Sequence, residues 1–239
     1  MIDVGNKYNE NGKNMQLEYS KKVLSKSPSC IGIKNANGMV LASLKPIVSK
    51  LHMLETDENI YKISENCYVT ATGKECDIIY IVTIMKDIAR QYKKMYNEEI
   101  SGEYLKVQTN SIMNYFNSQI GARVLGCELI IMKKEKEAYN LYLVENDGSI
   151  LRHKGCVIGS MQRRGKTEME KINWANLSLE EMVDQVVMTF YKCYDPMVDK
   201  EFKLEIGVMG QETDGKFVRI NQEDIDKYVE KYGDLTVDD

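Results

Sequence analysis

The chain has 239 residues, 43% hydrophobic and 28% charged, with a formal net charge of −4. That balance is ordinary for a globular protein and gives no global attraction to nucleic acid or to an anionic membrane. No apolar run approaches the roughly 20 residues of a membrane span, and Met1 to Asn6 lack the pattern of a secretory signal.

The first dozen residues are polar and end in Asn11-Gly12, a turn signal. Met15, Leu17, Tyr19, Val23 and Leu24 predict a short helix over 14–25, with Asn14 able to cap it and Tyr19 and Val23 sharing a face. The apolar runs 30–34 and 39–42 flank Asn35-Ala36-Asn37-Gly38 as a hairpin does. A strand over 69–72 ends at Gly73, and helices follow over 78–96 and 103–116, the first carrying Ile78, Ile81, Val82 and Met85 at helical spacing. Paired strands are predicted over 129–132 and 141–144 about a polar turn at 133–138. Asp147-Gly148 turns into a strand near Leu151, and 156–159 predicts another. Ser178, with Glu181 three residues on, marks the start of a helix running to Tyr194. Residues 202–208 alternate like a half-buried strand, with 217–220 as hairpin partner across Asp214-Gly215. Asn221 is placed to cap a last amphipathic helix carrying Ile225, Tyr228 and Val229.

Hairpin connections make the sheets largely antiparallel. Two such sheets covered by helices predict an α+β, four-layer α-β-β-α sandwich. With no linker and no repeat, the whole of 1–239 is expected to be one domain. The six cysteines form no Cys-x-x-Cys pair, and His52 and His153 lie far apart, so no zinc site or other cofactor is expected. The cysteines are expected to be reduced, buried thiols of a cytoplasmic or nuclear protein. The tail over 233–239 is acidic and expected to be mobile.

Gly12-Lys13-Asn14-Met15-Gln16-Leu17-Glu18-Tyr19-Ser20 resembles the signature of proteasome alpha-type subunits, Gly-Arg-x-x-Gln-Val-Glu-Tyr-Ala. Ile31-Gly32-Ile33, Asn37-Gly38-Met39-Val40-Leu41-Ala42, Ser49-Lys50-Leu51, the Thr72-Gly73…Asp77 helix start and Tyr115 with Gly121-Ala122-Arg123-Val124-Leu125-Gly126 follow in the family's order. Lys154 to Gly159, Lys166 to Lys171 and Asp199 to Ile206 are similar to the seventh alpha ring position, alpha type-3 in mammalian naming; another alpha position is the alternative. Val124 and Glu10 stand where the family has prolines, which suggests a divergent eukaryotic source.

The resemblance implies the N-terminal-nucleophile-hydrolase fold and a non-catalytic subunit of the 20S outer ring, serving assembly, gating and regulator docking in ubiquitin-dependent protein degradation. It implies alpha-ring neighbours, beta-ring subunits and regulatory particles as partners. A catalytic beta-type subunit would need a threonine freed after glycine, whose α-amine serves as general base. This sequence has no Gly-Thr dipeptide, and Ser27-Pro28-Ser29 stands at the equivalent place. Neither a Gly-x-Ser-x-Gly elbow at Ser160 nor a phosphate loop at Gly165-Lys166-Thr167 is complete. The basic cluster Arg163, Arg164 and Lys166 is either a solvated helix start or a contact with a neighbouring subunit.

The family's open gate is braced by a tyrosine, an aspartate, a turn proline and a helix tyrosine. Matched residue by residue, these positions are Ile2, Asp3, Glu10 and Tyr19, so the aspartate and the helix tyrosine are retained while Ile2 and Glu10 depart. Family pockets also bind the C-terminal carboxylates of activators through a lysine. That position holds Asn59, with Lys62 three residues on, so weak or no binding of a tail carboxylate is expected.

Overall fold

The computed structural model describes residues 8–53, 57–119, 121–136 and 138–232. Ile2, Asp3 and the tail 233–239 lie outside them. Helix α1 (Met15–Leu24) precedes the hairpin β1 (Cys30–Lys34) and β2 (Gly38–Pro46). Strands β3 (Ile60–Ser64) and β4 (Cys67–Gly73) lead into helices α2 (Glu75–Tyr96) and α3 (Gly102–Ser118). Then come β5 (Cys127–Glu135), β6 (Ala138–Val144), β7 (Ile150–His153), β8 (Gly155–Ile158) and the helices α4 (Gln162–Glu170) and α5 (Leu179–Cys193). Strands β9 (Phe202–Gly210) and β10 (Phe217–Arg219) and helix α6 (Gln222–Tyr232) close the described chain.

The strands form two five-stranded antiparallel sheets, ordered β10-β9-β2-β1-β8 and β3-β4-β5-β6-β7. Period-two alternation sends each strand's side chains into two different cores. Val40, Ala42 and Leu44 of β2 pack under α5, whereas Met39 and Leu41 face the second sheet. Leu129 and Ile131 of β5 likewise face α2 and α3, whereas Ile130 and Met132 face the first sheet. Three apolar layers thus separate four layers of backbone, as the sequence predicts. The sheets meet closely at Gly32, where a Cβ would lie 2.6 Å from Ile130 Cγ2.

Four local expectations change. Strand β3 was not expected from the sequence, because its polar Lys62 and Ser64 hide the alternation. The predicted polar turn 133–138 is mostly strand, and Lys133 is buried at 2% exposure because it faces the helix layer. Residues 206–210 are buried on both faces, since β9 is interior to its sheet and sandwiched between layers. On α1, Tyr19 and Val23 share a face as expected, and that face is exposed, whereas Ser20 and Leu24 are buried. All six cysteines are free, and Cys76 alone of them is exposed rather than buried.

Candidate functional site

The chain crosses from α1 to β1 at Ser27-Pro28-Ser29 with no free amine and little free surface. The Ser27 amide donates to Leu24 O (3.0 Å) and its hydroxyl to Val23 O (2.9 Å), so the segment continues directly from α1. Ser29 is fully buried. Its hydroxyl accepts from the Met161 amide (2.8 Å) and shares a hydrogen bond with Ser160 Oγ (3.2 Å). The Ser160 amide donates to Ser27 O (3.0 Å), and Thr72 Oγ1 donates to Pro28 O. Gly159 passes so close that a Cβ there would lie 2.5 Å from Pro28 O.

This arrangement ties β1 to the end of β8 and cannot carry nucleophile chemistry of the kind described above. A peptide nitrogen has its lone pair delocalised into the carbonyl and is no general base. The adjacent thiol offers no substitute, since burial pushes Cys30 above its usual range and leaves it protonated at neutral pH. Among the described residues, no three His, Cys, Asp or Glu side chains gather to hold a metal ion.

Helix α1 is fixed over this region. Asn14 Oδ1 caps it, accepting from the Gln16 and Leu17 amides (3.0 and 3.4 Å). Ser20 Oγ donates to Leu125 O (3.3 Å), and Asn146 Nδ2 donates to Leu17 O (3.3 Å). The loop carrying Leu125 is itself held by Asp77, which takes both Arg123 nitrogens (2.6 and 2.7 Å) and the Gly126 amide (2.8 Å). Burial alone would raise the Asp77 carboxyl, but these donors hold it below the usual range.

The turn before α1 contains Glu10. The Gly12 amide donates to Asn9 O (2.9 Å), which places Glu10 at the second position of a β-turn, where proline would preset φ. Here the turn closes differently. Asn9 Oδ1 accepts from the Asn11 and Lys13 amides (3.0 and 2.9 Å), and Gly12 supplies φ of +70°. Tyr19 is exposed, with Lys22 Nζ 5.9 Å from its ring centre. No described contact joins Tyr19 to Glu10.

Asn59 sits where the edges of the two sheets meet, inside an ion-pair cluster. Its amide donates to Glu205 Oε2 (2.8 Å), and its carbonyl accepts from Thr70 Oγ1 (3.0 Å). Lys45 Nζ lies 2.8 Å from Glu205 Oε2, and Arg219 Nε lies 3.4 Å from Glu205 Oε1. Arg219 also pairs with Glu58 and holds its carboxyl below the usual range. Two cations therefore face two carboxylates beside Asn59. Lys62 pairs elsewhere, with Glu65 (2.7 Å). The cluster was illegible in the sequence, because Glu58 and Arg219 are 161 positions apart and meet only through strand order.

A sequence profile described as "Proteasome subunit" matches residues 24–209. A "Probable proteasome subunit alpha type-7" of Encephalitozoon cuniculi is 36% identical over 232 residues, covering 97% of this chain and 96% of that protein. A "Proteasome subunit alpha type-3" of Drosophila melanogaster is 28% identical, covering 95% of this chain and 89% of that protein. One of the same description from Acanthamoeba castellanii is 27% identical, covering 94% and 89%.

Proposed function

This chain belongs to the proteasome alpha-type subunit family, and from that premise we propose that it is a non-catalytic wall subunit of the 20S outer ring, at the seventh alpha position. The observation that carries the reading is the Ser27-Pro28-Ser29 crossing. At the start of β1 it offers a tertiary amide nitrogen and buried hydroxyls bonded within the protein, not a threonine with a free amine.

The ring role rests on exposed apolar side chains in stripes. Tyr104, Val107 and Tyr115 are exposed along α3 at helical spacing, and Tyr80 is exposed on α2. Tyr80 meets Phe116 edge-on with ring centres 5.6 Å apart, so the two helices present one continuous surface. Such a patch fits burial against other subunits. In the proposed particle the chain folds as one domain over 1–239 and works in the cytoplasm and nucleus, in ubiquitin-dependent degradation.

Asp3 and Tyr19 keep the family's brace residues, while Ile2 and Glu10 do not, so this subunit's share in opening the gate is reduced. The Asn59 pocket is proposed to take an activator's tail carboxylate weakly or not at all, because Lys45 and Arg219 are already paired with Glu205 and Glu58.

Two measurements on native extract test the whole reading. A threonine-directed electrophile is expected to label other subunits and leave this chain unmodified. On a native gel the chain is expected to migrate in a particle of several hundred kilodaltons. Labelling of this chain, or migration only as a small monomer, would sink the proposal.

A further inference from the structure

On the face formed by α5, α6 and the turn at Gln211–Thr213, a groove of about 890 Å³ opens between the elements. Its floor is apolar, built from Leu179, Val183 and Val208, and Tyr228 and Ile220 form walls. Its rim is acidic. Glu180, Glu181, Asp184, Glu212 and Asp224 line it, against Lys227 and Lys231 alone, so five carboxylates less two ammonium groups leave a net −3.

Both lysines are already engaged. Lys227 pairs with Asp224 (2.6 Å) and Lys231 with Asp184 (2.8 Å). Glu181 closes the capping box on the Ser178 amide (2.8 Å) and Glu212 accepts from the Leu179 amide (3.4 Å), which fixes their carboxylates at the rim. After its own burial, the Tyr228 hydroxyl is pushed upward by Glu180, Asp184 and Asp224, so three carboxylates converge on one wall of the groove.

We propose that this groove receives a basic amphipathic segment of a partner protein. An apolar side chain of the segment sits over Val183 and Tyr228, and flanking Lys or Arg side chains reach Glu180, Glu181 and Asp224. Charge complementarity selects this occupant. An acidic segment is repelled by the rim, and a small organic cation leaves the apolar floor wet. The inference concerns a face with no part in the Ser27-Pro28-Ser29 argument and stands apart from it.

The test uses the 239-residue chain, with its folding checked by circular dichroism, and a fluorescein-labelled helical peptide of leucines on one face and lysines on the other. Glu180→Lys with Asp224→Lys is expected to weaken binding about tenfold or more. The control pair Glu223→Lys with Glu230→Lys changes net charge equally on exposed α6 positions outside the groove, and is expected to leave affinity nearly unchanged. Equal loss in both pairs would reduce the effect to overall charge and overturn the proposal. So would unchanged binding in the groove variant, equal binding of the same peptide with glutamates for lysines, or full displacement by spermine at matched charge.

Discussion

Single side chains here act through what surrounds them. Glu128 is 7% exposed at the start of β5, and burial, with Glu145 adding to it and Lys21 opposing, pushes its carboxyl up to about 7. An unfolded glutamate titrates near ~4.3, so the fold prefers the protonated form. This group's contribution to stability is therefore complete below about pH 4 and is lost as pH rises through about 7. Glu128→Gln cannot ionise. It is expected to be more stable than the unsubstituted chain at about pH 8, by up to about 3 kcal/mol, and to converge with it below about pH 4. Denaturant melts at the two pH values check this, and equal stability at the higher pH would mean that the carboxylate is well solvated in the fold. Asn59 gives the second prediction at this scale. With Lys45 and Arg219 paired, Asn59→Ala is expected to leave binding of an activator C-terminal peptide unchanged in fluorescence anisotropy. A clear loss would show that Asn59 itself holds the carboxylate.

At the scale of elements, helix boundaries follow local chemistry. Ser178 and Glu181 form the capping box that their spacing predicts, each accepting from the other's amide. Ser178→Ala is expected to cost about 1 kcal/mol, lowering Tm by about 2–4 °C in a chain of this length. A thermal melt that did not move would mean that packing against the first sheet alone sets the start of α5. The turn at Glu10 shows the same chemistry with a different residue. Asn9 and Gly12 close by side-chain acceptance and positive φ a turn that the resemblance assigns to proline. Helix α1 shows where periodicity falls short. Its apolar residues Tyr19 and Val23 share a face, yet Ser20 and Leu24 are the pair turned inward. Serine is small enough to bring the helix close and can satisfy Leu125 O once there.

For the whole molecule, the question is which surfaces stay wet. The α2–α3 face carries tyrosines in contact with one another, such as half-buried Tyr92 and exposed Tyr104, with ring centres 4.9 Å apart. If that face is buried in the particle, Val107→Glu should lower the fraction of chain recovered in the assembled particle several-fold, because a carboxylate would be desolvated there. Val107 is 56% exposed in the chain itself, so the melting temperature of the free chain should hardly move. Assembly at normal yield would place the contact surface elsewhere.

The sequence by itself determined the main helices, the hairpins and the antiparallel sense of the sheets, because periodicity, caps and turn residues act over a few positions. It also determined that no Gly-Thr junction precedes the first strand, and the ordered run of family motifs. It could not reveal β3, whose lysine and serine mask the alternation, nor which face of α1 turns inward. Those depended on the second sheet, whose edge β3 forms beside β4 and against which α1 packs. The Glu58–Arg219–Glu205–Lys45 cluster beside Asn59 and the acidic groove over Val183 belong wholly to tertiary structure. Their members come from distant strands and helices, and only the stacking of the two sheets and the seating of α6 on α5 bring those charges within reach of one another.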